Sequence, residues 1–321
     1  MATYEVTTWT ELTNRIKNAS SGDVIKIIAD IDCNDEIPMG VTSPIQAGTN
    51  SFTVDGTYTE NGVTKNRVIR NLRCTVTIFR LGGSGGSTTF KNIDFVNSLF
   101  DSNLAAVIGT GSQYSPTYLY LRNCRFSGER KHYLVNKVEG SSSERVLVYC
   151  YSCDFNLKYV GTSATYIPLF YRYAESGDWS WKSYAYYCHF KERYSGTYTP
   201  PSSTTAAMCG VSNTFLDGCR VDGEIVGNAA VVLAVSGVVD LGAPSLKNVY
   251  DLNIKLTTSN TSTTVTALPG VFRVPITNKN NPTVTYTISS QTSGTLAATE
   301  SQMKDAQWLS EHNFPVVVSS V

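Results

Sequence analysis

The sequence predicts a right-handed parallel β-helix, an all-β solenoid with a short α-helical cap at each end. Three observations predict it: a short phrase that recurs along the middle of the chain, an apolar motif upstream of each copy, and amphipathic helices confined to the two ends. Recurrence at a fixed interval of about 20–50 residues is typical of solenoids and repeat arrays. We expect a cap helix and first strand at 1–32, coils at 33–275, and irregular strands with a second cap helix at 276–321.

The first element is predicted to be an amphipathic helix over 8–19, followed by a strand over 24–31 in which alternate residues are apolar. Thr8 and Glu11 have the spacing of a capping box. The apolar stripe of the helix consists of Trp9, Leu12 and Ile16. Because the open end of a solenoid would expose its apolar interior to water, we expect this helix to cover the first coil.

A second amphipathic helix is predicted near the C-terminus. Thr299 and Gln302 repeat the capping-box spacing, and Pro315 prevents the helix from continuing. Its apolar stripe consists of Met303, Ala306 and Leu309. We expect this helix to cover the last coil.

The recurring phrase is a bend residue followed by an apolar, a polar and an apolar residue. Asn and Gly suit the bend because they tolerate left-handed backbone geometry, which Tyr187 does not. The copies lie at 71–74, 92–95, 123–126, 152–155, 187–190 and 218–221, with a looser copy at 251–254. Stacking of successive copies predicts one interior column of Ile93, Cys124, Cys153, Cys188 and Cys219, beside a second column of Phe95, Phe126, Phe155 and Phe190.

The upstream motif supplies a further strand to each coil. It is a pair or triplet of apolar residues, found at 78–81, 106–108, 134–135, 169–170, 208–209, 232–233 and 271–272. With the strand before each bend and the strand after it, this makes three strands per coil. Parallel strands joined by tight turns cannot form hairpins, so coiling is the arrangement that remains.

Charge and composition exclude some partners. Lys+Arg and Asp+Glu each total 26, which leaves a formal net charge of zero and no basic footprint for nucleic acid or an anionic membrane. No run of 18 apolar residues and no secretory signal are present, so we expect assembly in a reducing cytoplasm. The eight cysteines are therefore expected to be free thiols, although stacking distances leave pairing open.

No catalytic residue, cofactor or metal site is predicted. Cys150 and Cys153 flank a bend and lack the second pair or helix start that zinc or redox chemistry needs. Asp94 and Asp154, two coils apart at roughly 9.6 Å, have the separation of an inverting glycosidase pair, but Arg125 between them would keep both ionised.

Two further groups of residues are candidate metal ligands. The three histidines, His132, His189 and His312, share no spacing typical of a metal site. An acidic cluster follows the first strand, for which a solvated turn is favoured over calcium binding. That cluster is Asp30, Asp32, Asp35 and Glu36.

Aromatic residues concentrate at 159–198, which holds nine of the 19 tyrosines. Exposed aromatics at this density indicate contact with a partner subunit or with a glycan, and ordinary packing is the remaining interpretation. The predicted contact residues are Trp179, Trp181, Tyr173, Tyr194 and Tyr198.

The chain resembles the pectin-lyase-like superfamily of right-handed parallel β-helices in the phrase at 71–74, 92–95 and 123–126. The opening WTELTNRIKNASSGDVIKIIADID is similar to the capped first coil of such proteins. The closing TESQMKDAQWLSEHNFPVV resembles the endings of β-helical proteins of phages and prophages. Polysaccharide-degrading members carry clustered Asp residues with a His, Arg or Lys nearby, and no such set maps onto this sequence.

The resemblance therefore implies a structural protein on the exterior of a bacteriophage particle, as capsid decoration, fibre or tail-associated protein. It would act by subunit contact rather than catalysis. The implied partners are other virion proteins and further copies of the chain, since many phage β-helices are trimers. The alternatives are a glycan-binding or polysaccharide-degrading receptor-binding protein that resembles a tailspike and contacts a host surface glycan, and a bacterial surface adhesin. The implied location is the virion, after assembly in the cytoplasm of the bacterial host.

Overall fold

Parallel β-strands make up most of the described structure, with few helices. The computed structural model describes residues 1–37, 40–47, 50–82, 85–108, 116–137, 146–161, 181–194, 206–207, 214–217, 219–226, 231–233, 250–257, 264–267, 277–278, 283–288, 294–299, 307 and 311. The chain divides into two compact units, Met1–Leu157 with Leu169–Tyr184, and Lys158–Pro168 with Ala185–Val321.

Two helices with defined bounds lie in the first unit. They are α1 (Trp9–Lys17) and α2 (Cys33–Glu36). Its strands are β1 (Thr3–Val6), β2 (Asp23–Ile27), β3 (Ile31–Asp32), β4 (Ile45–Gln46), β5 (Phe52–Asp55), β6 (Thr57–Glu60), β7 (Val63–Arg70), β8 (Arg73–Cys74), β9 (Phe79–Gly82), β10 (Ser87–Lys91), β11 (Ile93–Phe100), β12 (Ala105–Ile108), β13 (Thr117–Arg122), β14 (Arg125–Arg130), β15 (Val135–Lys137), β16 (Val146–Tyr151), β17 (Asp154–Tyr159) and β18 (Trp181–Tyr186). The boundary with the second unit falls within β17 and β18.

The first unit has three sheets whose neighbouring strands are parallel. Sheet A has the order β1-β2-β5-β10-β13-β16-β18, sheet B the order β3-β7-β11-β14-β17, and sheet C the order β4-β9-β12-β15. From β10 to β17 the chain visits sheets A, B and C in turn and then repeats the cycle. The all-β, parallel character predicted from the sequence is confirmed.

Helix α1 begins where the sequence predicts and buries its predicted stripe. The Thr8 side chain accepts a hydrogen bond from the Glu11 N–H, while the Glu11 carboxylate accepts one from the Thr7 N–H. Trp9 packs against Phe79 of sheet C, with 6.1 Å between the ring centroids. The apolar side of α1 thus packs against the apolar residue Phe79 of sheet C.

The segment after α1 differs from the prediction in two ways. The predicted strand over 24–31 is two strands, because β2 ends at Ile27 and β3 joins a different sheet. The acidic cluster is also not a free turn: Asp32 caps the short helix α2, and the Glu36 carboxylate accepts hydrogen bonds from the N–H groups of Trp9 and Thr10. These carboxylates satisfy N–H groups that helix termini leave without an intrahelical partner.

The interior of the first unit contains the residues expected to point inward. Phe95 pairs with Phe126 across sheet B, and the Phe126 ring lies between those of Phe95 and Phe155, with centroid distances of 5.0 and 5.1 Å. Ile93, Cys124 and Cys153 are buried beside them. In the second unit Cys188 and Phe190 are also buried, whereas the side chain of Cys219 lies outside the described residues.

The bends between sheets A and B have the predicted left-handed geometry. Asn92, Asn123, Ser152 and Tyr187 have φ values of 55°, 50°, 52° and 56°. Tyr187 is therefore in a conformation that a bulky side chain rarely adopts, and it is 70% exposed.

The first copy of the phrase lies outside the predicted column, which begins at Ile93, and the structure shows where it stacks. The phrase at 71–74 does not stack on 92–95 but on the end of β11, where Leu99 pairs with Arg73 and Phe100 with Cys74. The cause is a second bend at Asn97, whose side-chain amide donates to Asn71. On the opposite edge of β11, Gly128 pairs with Ser98, and a Cβ at Gly128 would lie 2.0 Å from the Ser98 carbonyl oxygen.

An antiparallel hairpin interrupts the parallel pattern and was not predicted. Strands β6 and β7 pair across a two-residue turn, Asn61-Gly62, in which both residues have positive φ. That dipeptide is the usual signal for a tight hairpin turn. Val63, next to the turn, is 57% exposed.

The second unit continues with parallel strands up to its last pair. Its strands are β19 (His189–Tyr194), β20 (Ala206–Ala207), β21 (Thr214–Asp217), β22 (Cys219–Val226), β23 (Val231–Leu233), β24 (Tyr250–Thr257), β25 (Thr264–Ala267), β26 (Thr277–Asn278), β27 (Thr283–Ile288) and β28 (Gly294–Thr299). Strands β19, β22, β24 and β26 are neighbours in that order, as are β20, β23, β25, β27 and β28, and only the pair β27–β28 is antiparallel among the described pairings of this unit.

Of two predictions near the C-terminus, the structure tests only the first. Stacking of the predicted copy at 251–254 on the copy at 218–221 would pair Arg220 with Asn253, but Arg220 pairs with Asp251, two residues away. The predicted C-terminal helix lies outside the described residues, apart from Gln307 and Glu311, which are helical.

Candidate functional site

The outer surface of sheet A carries a group of half-buried tyrosines on neighbouring strands. Along β13 and β16 every second residue is buried, which leaves the intervening residues on the outside. We call these tyrosines, together with the exposed Arg122 beside them, the tyrosine face. Its members are Tyr118, Tyr120, Arg122, Tyr149, Tyr151 and Tyr184.

Parallel in-register pairing brings these side chains together. Tyr120 pairs with Tyr149, and their ring centroids are 5.3 Å apart with an angle of 16° between the ring planes. Tyr184 continues the stack, 4.8 Å from Tyr149 at an angle of 9°. Tyr118 and Tyr151 flank it, at 5.9 Å from Tyr120 and 6.3 Å from Tyr149. The tyrosines therefore form one continuous set of stacked rings.

Arg122 is the charged member of the tyrosine face. Its guanidinium carbon lies 4.7 Å from the Tyr151 ring centroid and 5.3 Å from that of Tyr120. Cation–π contacts of this kind contribute about 0.5–1 kcal/mol at exposed sites. Arg122 is exposed, and within the described ranges it has no carboxylate within ion-pair distance.

The neighbouring cations are neutralised. Lys91 is the register partner of Arg122 on β10, and its ammonium lies 2.9 Å from the Asp55 carboxylate. Arg125, which follows the bend, lies 3.4 Å from the Asp94 carboxylate. The positive charge of Arg122 is thus left facing solvent between two compensated pairs.

Tyr120 and Asp55, both in sheet A, have perturbed pKa values. Burial raises the pKa of Tyr120, and Tyr118 and Tyr151 add to that effect, so its phenol stays protonated. Burial also raises the pKa of Asp55, but hydrogen bonds from Thr57 and Lys91 outweigh it and hold the pKa of that carboxyl below its usual range.

Next to the tyrosine face, the bends form a hydrogen-bonded ladder of side chains. The Asn123 amide donates to the side-chain oxygens of Asn92 and Asn66, at 2.7 and 3.0 Å. The Asn66 amide donates to the Asp94 carboxylate at 2.6 Å, so the unpredicted hairpin is held onto the bends. Both Asp94 oxygens are occupied, one by Asn66 and the other by Arg125.

Among the other candidate groups, Cys33 and Cys74 are buried and His132 is half-buried. Burial raises the pKa of the Cys33 and Cys74 thiols to about 12. Burial, together with Arg130, lowers the pKa of His132, whose Nδ1 lies 3.0 Å from the Asn103 side-chain oxygen. In the described part of the chain, no group of three or more potential metal-ligating side chains comes together. Nor does any described helix have the length and apolarity to cross a lipid bilayer.

The predicted aromatic contact residues are only partly covered by the structure. Tyr173, Trp179 and Tyr198 lie outside the described residues. Trp181 begins β18 and Tyr194 ends β19, but their side chains lie outside the described part.

Four members of the tyrosine face were missed from the sequence. The signal was present, since Tyr118, Tyr120, Tyr149 and Tyr151 all occupy the polar positions of alternating strands directly before a bend. Comparing those positions between successive copies of the repeat would have placed the four rings side by side.

No protein-family model matches this chain, and no curated protein is similar enough in sequence to match it.

Proposed function

We propose that this chain is a right-handed parallel β-helix on the exterior of a bacteriophage particle, where it acts by contact with other virion proteins. The cycle of the chain through sheets A, B and C in the first unit supports the coiled architecture. Crossovers between parallel strands are right-handed in about 98% of cases, which supports the hand. The resemblance of the closing segment to the endings of phage and prophage β-helical proteins supports the particle.

The observation that carries a contact function is the tyrosine face. Tyr and Arg are enriched at protein interfaces, and tyrosine supplies a large, rigid contact area with few rotatable bonds. Here the rings are held on the strands of a sheet and restrain one another by stacking. Such a surface loses little conformational entropy when a partner covers it.

The proposal extends to assembly and location. Other virion proteins are the proposed partners, the chain itself forms a homo-oligomer such as a trimer, and the protein is assembled in the host cytoplasm before it joins the particle. No catalytic step is assigned, since both oxygens of Asp94 are occupied by neighbouring side chains.

The test is co-purification with particles of the phage that encodes the chain. Particles banded on a density gradient are probed with an antibody to the chain and imaged in negative stain with gold-labelled antibody. We expect wild-type protein on the particle surface and a strong reduction for a Tyr120→Ala/Tyr149→Ala variant. Thr53→Ala, on β5 of the same sheet, is the matched control and should behave as wild type. Absence of wild-type protein from banded particles refutes the proposal.

A glycan-binding or polysaccharide-degrading receptor-binding protein is the second candidate. Tyr187 favours it, because its side chain is 70% exposed and its ring makes no ring contact with another described residue. Incubation of host capsule and cell-wall polysaccharides with the wild type, Asp94→Asn and Asp154→Asn tests degradation. If the wild type degrades no polysaccharide, the proposal of an enzyme is refuted. If the wild type also binds no glycan, the second candidate function as a whole is refuted.

A further inference from the structure

The first step concerns which parts of the tyrosine rings are left for a partner. Tyr149 lies between Tyr120 and Tyr184, with near-parallel ring planes on both sides. Arg122 covers parts of the Tyr120 and Tyr151 rings. Because both faces of Tyr149 are occupied by rings and Arg122 lies over Tyr120 and Tyr151, a ligand that stacks on these flat faces is poorly accommodated. A partner instead meets ring edges and phenol hydroxyls.

The second step concerns the electrostatic character of that exposed rim. The edge of an aromatic ring carries positive partial charge, and a protonated phenol donates a hydrogen bond. Burial raises the pKa of Tyr120, so that its hydroxyl remains a donor. The outward residues of β13 and β16 include no carboxylate; they are Tyr118, Tyr120, Arg122, Leu147, Tyr149 and Tyr151.

The third step concerns Arg122 itself. Its guanidinium is fixed by two rings, and in the described part of the chain no carboxylate neutralises it, in contrast to Lys91 and Arg125. A guanidinium presents a planar fork of donors that matches a carboxylate in a bidentate pair. Since its orientation is already restrained, little further ordering is needed when it binds.

We propose that the tyrosine face binds an acidic segment of a partner protein, with one carboxylate held by Arg122 and the Tyr118 and Tyr120 hydroxyls donating to further acceptors. The inference rests on the proposed function, because it takes this face to be the surface that meets the partner. It adds the chemistry of that partner: aspartate or glutamate side chains on an exposed segment.

The experiment measures binding of a defined probe to the full-length chain. The probe is a fluorescein-labelled peptide that alternates glutamate with serine, and its control carries glutamine in place of glutamate. Fluorescence anisotropy at low ionic strength gives the affinities. We expect the glutamate peptide to bind and the glutamine peptide to bind at least tenfold more weakly, on the order expected for loss of a charge-assisted pair.

Two arginine variants distinguish binding at the tyrosine face from nonspecific electrostatic attraction of the peptide to basic residues. Arg122→Gln should weaken binding of the glutamate peptide about tenfold, whereas Arg73→Gln removes an exposed arginine elsewhere and should change binding less than twofold. Tyr120→Phe keeps the ring but removes the hydroxyl, so it should weaken binding while the melting temperature stays unchanged. Equal binding by the wild type and Arg122→Gln overturns the inference.

Binding of an acidic oligosaccharide tests the alternative that the partner is a glycan and not a protein. If an oligomer of uronic acids binds more tightly than the glutamate peptide and depends equally on Arg122, the partner is a glycan and the inference is overturned. The particle experiment is independent of this one. Peptide binding by a chain that is absent from particles supports the acidic partner and refutes the virion assignment, whereas particle association without peptide binding overturns the acidic partner alone.

Discussion

Replacement of Phe126 by alanine removes the middle ring of the Phe95–Phe126–Phe155 stack. Phe126 is 1% exposed and has a ring on each side, at centroid distances of 5.0 and 5.1 Å. Truncation of a buried Phe to Ala costs about 3–5 kcal/mol. Because two ring pairs are lost at once, we expect the upper part of that range, about 4–5 kcal/mol.

The loss should appear as a shift of thermal unfolding. For a cooperative unit of about 150–250 residues, each kcal/mol moves the melting temperature by roughly 2–4 °C. The Phe126→Ala variant should therefore melt roughly 8–20 °C below the wild type, measured by far-ultraviolet circular dichroism, with urea unfolding as a second measure.

Two further variants make the result specific to the stack. Phe126→Leu keeps most of the buried apolar volume and should lose clearly less stability than Phe126→Ala. Val63→Ala truncates an apolar side chain that is 57% exposed on the hairpin, and it should stay within about 0.5 kcal/mol of the wild type. If Phe126→Ala costs no more than Val63→Ala, the stacked rings are not a packed core and the reasoning is refuted.

Three other predictions follow from backbone strain, charge and thiol burial. Tyr187→Asn should raise the free energy of unfolding by about 1 kcal/mol in urea titrations, because asparagine tolerates the left-handed bend; a loss of stability would contradict the strain argument. The pKa of Asp55 is lowered in the folded protein, so its contribution to stability is present above its unfolded pKa of about 3.9 and is lost as the pH falls through the folded value. Urea unfolding at a series of acidic pH values should therefore show a weaker pH dependence for Asp55→Asn than for the wild type, and identical dependence would exclude Asp55 as a source of the pH dependence. Cys33 and Cys74, with a pKa of about 12, should resist iodoacetamide at pH 8 in the native protein and react after denaturation; native labelling at the rate of a free thiol, detected by peptide mass spectrometry, would disprove their burial.

The alternation of residues along each strand was readable from the sequence because side chains of a strand point to opposite faces in turn. That period identified Phe95, Phe126 and Phe155 as inward residues, and all three are buried. The bends at Asn92 and Asn123 were readable for a similar local reason, since asparagine tolerates positive φ. Both features depend on a few adjacent residues.

Register was harder to predict because a shift by two residues preserves the inward and outward alternation. The pairing of Arg220 with Asp251 instead of Asn253 is such a shift, and nothing in the local pattern distinguishes the two registers. The stacking of the phrase at 71–74 on the end of β11 was not predicted, and it depends on a second bend at Asn97 within the same coil.

By itself, the sequence determined the strand-rich character of the chain, its bends, the first helix and which residues face the interior, because each of these follows from the conformational preferences and periodicity of neighbouring residues. Tertiary structure alone decided that Glu36 reaches the N-terminus of α1 and that tyrosines from β13, β16 and β18 meet around Arg122. Those contacts join side chains 25 or more positions apart, and their formation depends on the register between strands, which local preferences leave undetermined.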